Sequence, residues 1–174
     1  LLTEMDRHAA PGAVLASSSS FVPASRVPSG LRGRHRGLVV DGFKATGVSL
    51  RRDILAMEDS GARHTAIFTD FGIVTTTPAT GPPLTRTMLT EMATGRPDTI
   101  VFELGDGILG AYGVEAILDA PDIRGALTAV VLSANDPVAA WGGVKLLRER
   151  FQIETCAVTG PATDNPVGVK IIQE

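Results

Sequence analysis

The chain has 174 residues, 44% of them hydrophobic and 20% charged, and a net charge of −3, ordinary values for one globular domain with a real core. Its basic residues are scattered, so it lacks the electrostatic footprint with which nucleic-acid binders neutralise phosphates. Its longest apolar runs, such as Ala129 to Leu132, fall far short of the roughly 20 residues needed to cross a bilayer.

The first element in chain order is "GAVLASS", a short apolar run that reads as a strand and passes into a serine-rich turn, Ser17 to Ser20. Arg32, Arg34, His35 and Arg36 then read as a solvated helix end. A second strand follows in "GLVVDG", with Asp41, Lys44 and Thr46 expected just beyond it. Ser49 is placed to cap a helix in which Leu50, Ile54 and Met57 make one apolar stripe, and Gly61 stops it. "HTAIFTD" is the third strand and ends at Asp70. "TTTPATGPP", residues 75–83, has no periodicity and reads as a loop.

Leu84, Met88 and Met92 mark the next helix, closed by Gly95 and Pro97. "DTIVFEL" is the fourth strand and runs into Glu103 and Asp106 among glycines. "LTAVVLSA" is the fifth, followed by Asn135. In "NDPVAAWGGVKLLRERF", Asp136 can cap, Pro137 suits the first helical position, and Arg148 and Arg150 sit where the helix dipole favours cations. Trp141, Val144 and Leu147 are expected to form its buried face, with Gly142 and Gly143 allowing close approach to a strand. A weaker sixth strand, "IETCAV", leads to Thr159, Asp164 and Asn165.

Continuous Val- and Ile-rich runs alternating with helices imply βαβ units and a parallel sheet. The expected fold is α/β, a three-layer αβα arrangement on a mostly parallel sheet of five to six strands, Rossmann-like or P-loop-like. It forms a single domain over 1–174. The start at Leu1 and the close on "VGVKIIQE" suggest a piece of a longer protein. The single cysteine, Cys156, excludes an internal disulfide and suggests the cytoplasm. His8, His35 and His64 are too widely spaced for a local ligand pair, and structural roles are expected for them.

In a parallel sheet all strands end on one edge, where ligands of open α/β folds bind. Turn chemistry accounts for many of the polar residues expected there. It does not account for Glu103, a poor turn former directly after "IVF". Carboxylates sharing one rim repel each other unless a cation intervenes, and oxygen ligands suit Mg²⁺. Asp70 and Glu103 are therefore the candidate metal ligands, and Asp106 an outer contact or a contact to a substrate amine. Lys44 is the partner for an anionic small-molecule substrate. Lys44 and Asp106 are the candidate catalytic pair, with Thr46, Asn135, Thr159 and Asn165 as cofactor-binding groups. The combination resembles a site for phosphoryl transfer from ATP. G-x-x-x-x-G-K-[ST] occurs nowhere in the chain, and G-x-G-x-x-G does not follow the first strand, where the chain reads "SSSSFVPAS".

Two resemblances meet near residues 37–41. On "DGFKATGVSLRRD", "FTDFGIVTT", "VFELGDGILGAYG", "SANDPVAAWGGVKLL" and "VTGPATDN", residues 38–174 resemble a P-loop-type domain related to dethiobiotin synthetase and similar ATP-dependent ligases. The resemblance implies that Lys44 and Thr46 face substrate or phosphate, that Glu103 with Asp70 binds Mg²⁺, and that Asn165 lies near the base. Residues 1–40 are similar to the end of the NAD-binding domain of 3-hydroxyacyl-CoA dehydrogenases, which implies that Ser17 to Ser20 form the turn near the nicotinamide. Those enzymes continue with a catalytic His and an Asn-Pro pair, where this chain reads "DGFKATG". Three readings stand open. The first is a Mg²⁺- and nucleotide-binding domain of ligase or phosphotransferase type, partial or degenerate. The second is part of an NAD-dependent dehydrogenase. The third is a noncatalytic domain that docks or forms a homodimer through its sheet.

Overall fold

The structure, a computed structural model, describes residues 14–17 and 38–173. Its strands are β1 (Val14–Ser17), β2 (Val40–Thr46), β3 (His64–Ile67), β4 (Thr99–Leu104), β5 (Ala129–Ser133) and β6 (Thr155–Thr159). They lie in the order β3-β2-β4-β1-β5-β6, and every pair is parallel. The four-residue β1 joins the group β3-β2-β4 to the pair β5-β6. The fold is thus α/β with a parallel sheet, as the alternating apolar runs imply. His8, the Arg32 to Arg36 cluster, residues 18–20 of the serine turn and most of the dehydrogenase-like stretch lie outside the described residues.

The helices are α1 (Arg51–Asp59), α2 (Gly81–Thr94), α3 (Val114–Asp119), α4 (Pro121–Ala126), α5 (Pro137–Phe151) and α6 (Pro166–Gln173). From β2 the chain steps outward to β3 through α1, then returns across the sheet through β4, β5 and β6. Right-handed crossovers send outward and returning connections to opposite faces. The packing agrees: α1 lies on β2 and β3, whereas α2 packs with α3 and α4 and α5 rests on β5 and β6. Among the described residues no helix is long and apolar enough to cross a membrane.

The core is densest between α2 and the centre of the sheet. Phe43 of β2 and Phe102 of β4 are register partners, fully buried, with rings stacked at 5.1 Å. Met88 and Met92 of α2 and Ile117 of α3 are buried in the same cluster. Because side chains alternate across a strand, the residues following this pair, Lys44 and Glu103, belong to the opposite face, beneath α1.

Several local expectations are met and others are corrected. Asp136 caps α5, accepting from the Val138 and Ala139 amides at 2.8 and 2.9 Å, with Pro137 behind it. Gly143 allows the close approach expected of it, since a Cβ there would come within 2.7 Å of Leu132 Cδ2, whereas Gly142 does not, a Cβ there meeting nothing within 4 Å. Trp141 does not join the buried face. It is 67% exposed, with the Lys145 ammonium 5.0 Å from its ring. The buried stripe runs through Ala140, Leu147 and Phe151 with Val144 partly covered, a helical spacing that begins one residue before Trp141 and turns the indole outward. Replacing Trp141 by Gln is expected to change unfolding free energy by no more than about 0.5 kcal/mol. Urea denaturation checks this, and a large loss would mean the indole is covered.

Ser49 does not cap α1. The N-cap is Leu50, without a side-chain bond, and the Ser49 hydroxyl instead meets Thr69 Oγ1 at 3.1 Å. Asp41 is not at the carboxyl edge, because β2 begins at Val40 and continues to Thr46. It lies fully buried near the opposite end, where Arg63 binds it twice, at 3.1 and 2.6 Å. The 75–83 stretch is a loop only as far as Thr80, because residues 81–83 begin α2; the loop is tied down by hydrogen bonds between Thr77 and Thr80, with Thr76 buried beneath.

Candidate functional site

The connections leaving β2 and β4 depart to opposite faces of the sheet, so the carboxyl ends of these neighbouring strands part. Such a parting is where open α/β sheets hold ligands. The register carries Lys44 directly beside Glu103, and Glu103 in turn beside Ser17 of β1. An irregularity between Lys44 and Thr46 then brings Thr46 opposite Leu104.

Lys44 is the centre of the site. Its ammonium donates to Asp53 Oδ2 at 2.5 Å and lies 3.4 Å from Glu103 Oε1. The side chains of Lys44, Asp53 and Glu103 are 1%, 10% and 10% exposed. Asp53 comes from the first turn of α1, so strand and helix together enclose the charge. Around it the two loops are laced. Thr46 donates to the Gly105 carbonyl at 3.1 Å, and Asp106 accepts from the Val48 amide at 2.5 Å. Gly47 has φ +97°, and a Cβ on it would meet Asp106 Oδ2 at 2.3 Å. Only a glycine passes here, because the backbone is left-handed and the carboxylate occupies the space.

Glu103 is the anomalous group. Its Oε1 is buried and receives no hydrogen bond, leaving only the Lys44 ion contact at 3.4 Å. Burial pushes its carboxyl from 4.5 up to about 7; Lys44 opposes the rise, while Asp53 and Asp106 add to it. A carboxyl in this position carries a proton near neutrality, or holds charge when a further cation supplies what Lys44 does not. Among the described residues no group of three or more His, Cys, Asp and Glu could hold a metal ion. Mg²⁺ is commonly bound through one or two carboxylates completed by water and substrate phosphates. The single, incompletely satisfied carboxylate of Glu103 fits that mode and does not fit an all-protein cage.

Lys44, Thr46, Glu103 and Asp106 therefore come together at the β2 and β4 ends. Asp70 does not join them in a ligand group of three. It is exposed, and its Oδ2 accepts from the Ile67 amide at 2.9 Å, capping the 3-10 turn Phe68–Phe71. Asn135 follows β5, Thr159 ends β6 and Asn165 comes after β6, all on the far side of β1. Strand spacing separates β5 from β4 by about 10 Å and β6 by about 14 Å. Asn165 accepts from the Gly168 amide at 2.8 Å at the start of α6.

Two features escaped the sequence reading. Asp53 looks like an ordinary first-turn acid favoured by the helix dipole, and nothing local ties it to Lys44. "GDGILG", residues 105–110, carries G-x-G-x-x-G spacing after β4 rather than β1. Two of its three glycines are used for internal packing. A Cβ on Gly105 would meet the Thr46 carbonyl at 2.9 Å, and one on Gly110 the Asp106 carbonyl at 2.7 Å. Gly107, with φ +89°, would carry a Cβ into open space, whereas Gly113, before α3, is closed off by the Thr77 carbonyl and Pro78. Compared with protein-family models, curated proteins and solved structures, the chain has no match.

Proposed function

We propose that the chain is a Mg²⁺- and nucleotide-binding α/β domain of the ATP-dependent ligase or phosphotransferase type. The observation that carries this reading is the buried Glu103 carboxylate, without a hydrogen bond to Oε1, at the parting of the β2 and β4 loops. Glu103 would contribute to holding Mg²⁺, which when bound supplies positive charge for the phosphate oxygens. Lys44 would neutralise a phosphate or substrate carboxylate, and the laced Thr46 to Val48 and Gly105 to Asp106 segments would hold both side chains in place. Asp106, accepting from Val48, would fix the loop on which an anionic substrate rests. Asn135, Thr159 and Asn165 would serve the nucleotide at the far end of the same edge. Asp70 enters this reading only as a residue of the neighbouring turn. The free Cys156 suits a reducing, cytoplasmic setting.

Calorimetric titration of the 174-residue chain tests the reading. Binding of Mg·ATP that is lost on chelating the metal is the expected result, with no heat from NAD. Heat from NAD alone would favour the dehydrogenase reading. Silence toward both would leave a noncatalytic docking domain.

A further inference from the structure

We infer that Asp53 is a positioning residue that holds the Lys44 ammonium over Glu103, so that this lysine is a resident cation with which a divalent metal competes for Glu103 and which an anionic ligand draws away. The inference rests on the nucleotide and Mg²⁺ reading above and adds to it a residue and a coupling.

The geometry is unequal in a telling way. Asp53 takes a full hydrogen bond from Lys44 at 2.5 Å, whereas Glu103 has only the contact at 3.4 Å. The helix acid thus holds the ammonium, and the strand acid shares it. The other oxygen of Asp53 has a weaker neighbour, the largely exposed Arg52 at 3.7 Å, so Lys44 is its principal partner. The three side chains come from separate elements, β2, α1 and β4, and none is more than 10% exposed. With so little water present, a charge leaving this cluster changes the balance for those that stay.

Two competitions follow. An oxyanion seeking Lys44 competes with Asp53, and a metal seeking Glu103 competes with Lys44. An anion that draws Lys44 off therefore frees Glu103, and a metal that takes Glu103 releases Lys44. By linkage each ligand must favour the other to the same degree. The ligand class that satisfies both arms together is a phosphate ester with its divalent cation.

The test uses inorganic phosphate and Mg²⁺ as separate probes, titrated into the wild-type chain and into Asp53→Asn. In the wild type, saturating phosphate is expected to tighten Mg²⁺ binding by about threefold or more, corresponding to a modest coupling energy. In Asp53→Asn, phosphate should bind about threefold to tenfold tighter, because Lys44 has lost its charged partner. Mg²⁺ alone should bind correspondingly weaker, because the freed ammonium pairs with Glu103. Asp53→Glu should return both affinities toward wild type. A merely structural role would weaken both probes together or move neither, and either result would overturn the assignment. Should the Asn variant not fold, an unchanged wild-type Mg²⁺ affinity in phosphate overturns it by itself. A wild type that binds neither probe overturns the coupling and the role of Asp53, while the Mg·ATP titration decides the nucleotide reading separately.

Discussion

Lys44→Met is expected to lower the unfolding free energy at pH 7.5 by about 3 kcal/mol or more, the scale seen when one partner of a buried ion pair is removed. Methionine matches the length of the lysine stem, so packing is nearly conserved and the loss is electrostatic. What remains is Asp53 and Glu103 facing each other, each only 10% exposed, without the ammonium between them. The penalty should shrink as pH falls toward 5, because a proton on Glu103 removes the repulsion. Urea denaturation at pH 7.5 and pH 5 reads both effects. Wild-type stability in the variant at pH 7.5 would show that Lys44 is not the enclosed counter-ion of these acids. The stability loss also separates two roles of this residue. A Lys44 variant that binds phosphate poorly must first be shown to be folded before the defect is ascribed to a missing contact.

Glu103→Gln should act in the opposite direction. Burial raises the folded carboxyl to about 7 from 4.5, so between these values the folded chain binds more protons than the unfolded one. Stability therefore falls as pH rises through this window, and above it the loss is complete at about 3 kcal/mol. Gln cannot ionise, so the variant should match wild type near pH 4.5, exceed it by up to this amount at pH 8, and show a flatter profile between. Thermal or urea unfolding across pH 4.5 to 8 measures it, and parallel profiles for the two proteins would contradict the buried, ionisable Glu103. Under the proposed function the same variant loses metal-dependent nucleotide binding. A site residue whose removal stabilises the fold while abolishing ligand binding is the pattern expected where charge is buried for function rather than for stability.

These predictions centre on three residues that the sequence presents very differently. Glu103 is legible because a carboxylate directly after the apolar run "IVF" is at odds with both burial and turn formation, and it lies within β4. Lys44 is legible as chemistry but not as location. The run "GLVVDG" reads as a strand that ends at Asp41, yet β2 extends to Thr46, and a strand can carry a buried lysine only where acids from other elements meet it. Asp53 is illegible for the same reason seen from the other side, since its partner is on a strand and its helical context explains it fully.

What the sequence determined by itself was whatever depends on neighbours along the chain. The apolar runs specify a parallel sheet of five to six strands, the i, i+4 spacing specifies α2, and the Asp136-Pro137 pair specifies the start of α5, because periodicity and capping act over a few residues. Only the tertiary structure decided the order β3-β2-β4-β1-β5-β6, and with it which strand ends share a crevice. That order gathered Lys44, Thr46, Glu103 and Asp106, left Asp70 capping its own turn, and set Asn135, Thr159 and Asn165 beyond β1. The physical reason is that strand adjacency is chosen by crossovers that bury both faces of the whole sheet at once, an energy summed over contacts distant in sequence that no local pattern records.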